Sequence, residues 1–177
     1  MWQRLTNLFR HLWLDESDTR RTLGPTLLER LGQEVAASEL RHTGEIRIYV
    51  EASLPGSYLW RHVVQRIPMA SLARQRAVMM FSKLGVWDTQ DNNGVLIYLL
   101  LAERTIELVA DRGLHALVGP QEWDAMVGHM AQSFASGQFE AGLVRAIDEV
   151  TAPLQRHFAA SPAAKNLNEL PDPPVLG

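Results

Sequence analysis

Val95-Leu96-Ile97-Tyr98-Leu99-Leu100-Leu101, followed by the link Ala102-Glu103-Arg104 and by Thr105-Ile106-Glu107-Leu108-Val109-Ala110-Asp111, is the stretch on which the fold turns. Its first half is apolar on both faces, Tyr98 being the one amphipathic residue, which predicts a strand covered from both sides at the centre of a sheet. Its second half alternates, with Ile106, Leu108 and Ala110 sharing a face. The short polar link makes the two halves a hairpin and therefore antiparallel.

Working outward, Asp91-Asn92-Asn93-Gly94 is a turn signal just before the central strand. The region 57–84 reads as helical with a break at Pro68, and Ala73, Ala77, Met80 and Leu84 line one side. Before it, Glu45 to Ala52 reads as a strand, with Ile46, Ile48 and Val50 on one face and Arg47, Tyr49 and Glu51 on the other. A helical crossover between two strands of one sheet makes them parallel. Three further helices are expected: Pro25–Arg41, with Leu27, Leu31 and Val35 as its stripe; residues 121–135, with Trp123, Met126, Met130 and Phe134; and residues 138–158, kinked or frayed at Pro153. The predicted architecture is α/β: a three-layer sandwich, with a small mixed sheet and helices on both faces.

The ends divide off. Trp2, Leu5, Phe9, Leu12 and Trp13 recur at helical spacing, so residues 1–20 are expected to form an amphipathic helix, ended by the acidic stretch Asp15–Asp18. It packs on the body of the domain or, through residues 1–14, lies on a membrane surface. Residues 21–160 form the α/β domain. Residues 161–177 hold four prolines and few large apolar groups, and are expected to be a flexible tail.

Composition removes several function classes. The chain of 177 residues has no cysteine, which excludes disulfides and thiolate zinc sites. Neither of its lysines, Lys83 and Lys165, lies in a Gly-Lys-Ser/Thr phosphate loop. No apolar run is long enough to span a bilayer, and the N-terminus lacks a signal-peptide pattern, so the expectation is a cytoplasmic protein, peripheral to a membrane if residues 1–14 contact one. Net charge is −3, but residues 1–83 carry +4 and residues 84–177 carry −7. The halves neutralise each other in the fold, or the basic half forms a surface for an anionic ligand. An acidic domain with almost no lysine is not expected to bind nucleic acid.

The strand directions bring particular residues together. The starts of the first two strands and the finish of the third fall at one end of the sheet. That edge collects Glu45, Asp88, Asp91, Asn92, Asn93, Asp111, Arg112 and His115. Carboxylate and amide oxygens converging at a loop suit a hard cation, Ca²⁺ or Mg²⁺. The same residues also serve as ordinary turn formers and surface ion pairs. No Gly-x-Ser-x-Gly, His-x-x-x-His or Gly-x-Gly-x-x-Gly pattern is present. His115 is the one histidine near the edge.

An ordered set of residues carries a family resemblance: Phe81-x-x-Leu84 with Trp87, Asn92-Asn93-Gly94-Val95-Leu96-Ile97, the run Ile106 to Leu114, Gly44-Glu45-Ile46, and Phe139-Glu140-Ala141-Gly142-Leu143. Residues 25–160 resemble the TPM-domain family. The resemblance implies an α/β sandwich. It also implies the soluble bacterial branch, without signal peptide or membrane anchor, encoded beside membrane-associated relatives. Some members are linked to divalent-cation binding and plant thylakoid members to acid phosphatase activity. The matching positions able to hold a ligand are Asn92, Asn93, Asp111 and Arg112, while Asp91 stands where many relatives have another polar residue.

Two functions follow as expectations. The first is a non-enzymatic binding or scaffold module that holds a divalent cation (Ca²⁺ or Mg²⁺) through Asp91, Asn92, Asn93, Asp111 and Glu45. Arg112 and His115 would line the site, and the protein partner would be membrane-associated. The second is a metal-dependent acid phosphatase-like hydrolase, in which the cation polarises a phosphoryl oxygen and Arg112 neutralises developing charge. Beyond His115, no residue presents itself as nucleophile or general base.

Overall fold

The computed structural model describes residues 11, 13, 14, 16–161 and 168–177. The amphipathic helix expected at the N-terminus falls largely outside the described residues. The elements run α1 (Glu16–Glu39), β1 (Ile46–Glu51), α2 (Gly56–Val64), α3 (Met69–Lys83), β2 (Val95–Leu100), β3 (Thr105–Ala110), α4 (Arg112–His115), α5 (Pro120–Ala135), α6 (Phe139–His157) and β4 (Val175–Leu176).

Four strands form one mixed sheet in the order β3-β2-β1-β4. β1 and β2 are parallel, with Ile46 opposite Val95 and Glu51 opposite Leu100. β2 and β3 are antiparallel, with Val95 opposite Ala110. The all-apolar strand is thus internal, as its lack of alternation requires.

Helices cover both faces. On one, Ile46, Ile48, Val50, Val95, Ile97 and Leu99 pack against Leu31 and Val35 of α1, Met130 and Phe134 of α5, and Leu143, Ile147 and Val150 of α6. On the other, Leu96, Tyr98, Leu100 and Val109 pack against Leu59 of α2 and Leu72, Ala77 and Met80 of α3. Each such aliphatic side chain contributes roughly 1.5–3 kcal/mol when fully buried. The sandwich of three layers follows directly, because a sheet apolar on both faces must be covered twice.

Every residue of β1 is buried, including Arg47, Tyr49 and Glu51, which alternation placed on the polar face. Each charge has a partner from distant sequence. Arg76 of α3 donates from Nε to both Glu51 carboxylate oxygens, at 3.1 and 2.9 Å, and from Nη2 as well. The Tyr98 hydroxyl donates to Glu51 Oε2 at 2.7 Å. Arg47 donates to the carbonyls of Pro171 and Pro173, the latter at 2.9 Å.

Those prolines belong to the stretch assigned to a flexible tail. In the structure Val175 and Leu176 pair in parallel with Tyr49 and Val50 as β4. Gly177 extends the ladder, its N–H donating to Val50 O at 2.9 Å and its carbonyl accepting from Ala52 N at 3.1 Å. Two strand residues among prolines fall below what alternation can reveal. On the opposite margin, Asp111 N–H donates to Gly94 O, which sets the residues of β3 that face β2. Arg74 of α3 reaches over the outer edge to donate to the Leu108 carbonyl.

One helix start differs from expectation. α1 begins at Glu16 rather than Pro25, passing through a kink at Gly24, whose φ of 59° and ψ of 158° are non-helical. Pro25 still opens the regular part, where its missing N–H costs nothing. α6 runs through Pro153 to His157, close to the expected 138–158.

A buried polar chain joins α1 to α6. Ser38 Oγ lies 2.9 Å from His42 Nε2 and 2.5 Å from Thr151 Oγ1, and His42 Nδ1 lies 3.0 Å from the Gly44 carbonyl. Burial lowers the His42 pKa to about 4, so the ring is neutral: its Nδ1–H donates to Gly44 and its Nε2 accepts from Ser38.

Candidate functional site

The sheet register delivers the convergence that strand direction predicts. Glu45 O accepts from Val95 N–H, and Gly94 O accepts from Asp111 N–H. Glu45, Gly94 and Asp111 therefore stand side by side just beyond three adjacent strands, at one end of the sheet.

The turn before β2 is tightly stitched. Thr89 Oγ1 accepts from Asn93 N–H at 3.1 Å, and Asn92 takes a left-handed φ of 52°, a conformation Asn tolerates better than most residues. Gly94 is required by space: a Cβ there would lie 2.0 Å from the Val86 carbonyl oxygen. Gly113, just past β3, is required for the same reason. A Cβ there would lie 2.5 Å from Asn92 O and 2.8 Å from Asp91 O. That closeness lets Gly113 N–H donate to Asn92 O at 2.9 Å and Arg112 Nε donate to Asn92 Oδ1 at 3.0 Å. The two loops thus form one unit.

Asp111 caps the short helix α4. Its Oδ1 accepts from Arg112 N–H at 2.7 Å, while its Oδ2 is buried and accepts nothing. Asn93 is comparable. Its Nδ2 donates to Thr43 Oγ1 at 3.2 Å, and Thr43 in turn donates to Asp91 Oδ2 at 3.1 Å. This chain fixes the amide orientation, because a Thr hydroxyl that gives its proton to Asp91 must accept from Asn93. Asn93 Oδ1 is then an acceptor, buried and without a donor. Asn93 is 1% exposed and Asp111 8%. Two buried oxygens from residues flanking Gly94 are thus left unsatisfied, at a cost of about 1–3 kcal/mol each unless something is bound.

Asp91, Asn92, Asn93, Asp111 and Arg112 are brought together. Glu45 is not: its carboxylate turns the other way and accepts from Leu170 N–H at 3.0 Å. Burial raises its pKa, as do the nearby Glu169 and Asp172 carboxylates, against the lowering effect of its backbone hydrogen bonds. The His115 ring also leaves the site, stacking on Trp123 with centroids 6.3 Å apart, while its backbone N–H bonds Asp111 O at 2.8 Å. Thr43 and Thr89 hold the turn and were missed; Thr43 could have been found from its position two residues before Glu45, at the same sheet end. Among the described residues no three His, Asp or Glu side chains gather as a metal-holding group. A cation here would draw on Asp111 and on amide and main-chain oxygens, the donor set a hard divalent ion accepts.

The family model for the TPM domain matches residues 17–152. The chain belongs to the TPM domain family. The NMR structure of BA42 protein from the psychrophilic bacterium Bizionia argentinensis superposes with a TM-score of 0.68 at 24% identity, covering 83% of this chain and 90% of that one. At that identity the likeness speaks for the fold alone. Comparison with curated proteins returns no match. Among the described residues of this TPM domain, no helix is long and apolar enough to cross a membrane.

Proposed function

We propose that this TPM domain is a non-enzymatic binding module that takes up a divalent cation, Ca²⁺ or Mg²⁺, at the edge formed by residues 91–94 and 111–113. The observation that carries the reading is the pair of buried, donorless oxygens, Asn93 Oδ1 and Asp111 Oδ2. A hard cation satisfies such acceptors without needing a proton. Asp111 supplies charge; Asn93 and the carbonyls of the turn supply neutral oxygens. Asp91 adds a second carboxylate once Thr43 releases it. Arg112, tied to Asn92, stands where it can meet an anionic group of a partner or ligand. The hydrolase alternative gains no comparable support, since the His115 ring is stacked on Trp123. The partner is expected to be membrane-associated.

A backbone-amide NMR titration with Ca²⁺ and then Mg²⁺ tests the site. Saturable shifts confined to residues 91–94 and 111–115, lost in Asp111→Asn, are expected. Absence of shifts there, or shifts unchanged in Asp111→Asn, would sink the reading.

A further inference from the structure

We infer that the outer face of α2, together with the neighbouring surface of α3, docks the protein on an anionic lipid surface. α2 turns Leu59 and His62 into the sandwich. Its solvent side should then be polar. Instead Trp60 and Val64, one turn apart, are each 57% exposed, and Val63 is 48% exposed. Val78 on α3 and Trp87 just after it are exposed as well. Apolar groups clustered on an outer face mark a surface made for contact.

The stretch of chain that carries α2 and α3 is basic. From Ala52 to Trp87 there are five basic residues and no acidic one. Two of the five are occupied inside the fold or at its edge, Arg76 with Glu51 and Arg74 with Leu108 O and Glu107. Arg61, Arg66 and Lys83 remain for the surface. Arg61 is held flat, its guanidinium 5.5 Å from the Tyr58 ring centre and bonded to Gln75 Oε1 at 2.6 Å. It therefore adds charge at the level of the apolar side chains.

Exposed tryptophan and valine interleaved with arginine on a helix that carries no carboxylate is the chemistry of an anionic bilayer interface. It suits such a surface better than an acidic protein because exposed Trp60, Val63 and Val64 outnumber the cations beside them in the chain, Arg61 and Arg66, and acyl chains take up such apolar groups. His11 adjoins the start of α2. His11 Nδ1 accepts from Leu54 N–H at 3.1 Å, two residues before α2, and Trp13 is 83% exposed. Trp87 lies beside the cation edge, where the Val86 carbonyl abuts Gly94, but α2 follows the opposite end of β1, and neither reading depends on the other.

The test is co-sedimentation of the full chain with vesicles of phosphatidylcholine mixed with phosphatidylglycerol, against vesicles of phosphatidylcholine alone. The protein is expected to pellet with the anionic vesicles only, and less as salt is raised. Trp60→Ser with Val64→Ser, and separately Arg66→Glu with Lys83→Glu, should each weaken binding about tenfold or more. Both pairs are exposed, and circular dichroism checks that the fold is kept. Failure to pellet with anionic vesicles would overturn the inference and leave an acidic protein as the occupant. Pelleting that neither double variant weakens would overturn it in favour of residues 1–14. A dimer in solution that Trp60→Ser with Val64→Ser dissociates would overturn it in favour of a second copy of the chain.

Discussion

The Tyr98 hydroxyl donates to the Glu51 carboxylate at 2.7 Å inside the sandwich, and Arg76 grips the same carboxylate from α3. The three groups span β1, β2 and the helical crossover that joins them. Glu51 is the shared acceptor, so its removal takes a partner from both other groups, whereas removal of Tyr98 leaves the Arg76–Glu51 pair in place. Glu51→Ala strands the Arg76 guanidinium and should cost about 3–5 kcal/mol. Tyr98→Phe removes a neutral donor and should cost about 1–2 kcal/mol. Urea unfolding of the two variants reads the difference directly.

Acid should weaken the fold through His42. Its pKa falls from an ordinary 6.5 to about 4 because burial disfavours the charged ring. Between those values the unfolded chain binds more protons than the folded one, so stability from this group is complete above pH 6.5 and is lost as pH falls through 4. Stability measured by urea from pH 7 down to pH 4 should decline, and His42→Gln should flatten that slope.

Glu39 acts with the opposite sign. Its Oε1 accepts from Ile46 N–H at 2.8 Å, yet burial, with Glu45 and Asp172 adding to it, raises its pKa from 4.5 to about 8. Here the folded chain holds the extra proton, so the contribution is complete below pH 4.5 and is lost as pH rises toward 8. Glu39→Gln keeps an oxygen for Ile46 and needs no proton. It should raise stability at pH 8 by on the order of 1–3 kcal/mol and leave it unchanged at pH 4.

Gly113→Ala should break the candidate site without touching a ligand. The added carbon would meet the main-chain oxygens of Asn92 and Asp91, so the turn must move. Loss of stability of about 1–3 kcal/mol is expected. In the same titration that tests the parent chain, the shifts at residues 91–94 should weaken or vanish.

Sequence made some of this legible. A strand apolar at every position had to be internal, and β2 is. Chain direction alone gathered Asp91, Asn93 and Asp111, because parallel and antiparallel neighbours have fixed ends. The polar face of β1 misled: Arg47 and Glu51 are buried through partners 124 and 25 residues away, which no local pattern records. Glu45 was misplaced for the same reason. Its carboxylate follows Leu170, whose position was invisible among prolines. The donorless state of Asn93 Oδ1 was likewise hidden, since it depends on Thr43 giving its proton to Asp91.

Deleting residues 168–177 should expose the edge of β1 and leave Arg47 without its carbonyl partners. A lower melting temperature and concentration-dependent association, seen by light scattering, are expected.

The two margins of the sheet are closed by different means, and they therefore resist intrusion differently. β4 guards β1 as a tethered rival, present at an effective concentration in the millimolar range that an incoming strand must overcome. β3 is guarded at Leu108 by one guanidinium on a rotatable side chain. A strand-adding peptide, natural or designed, meets less opposition at β3, and Arg74 is the residue whose removal would admit it.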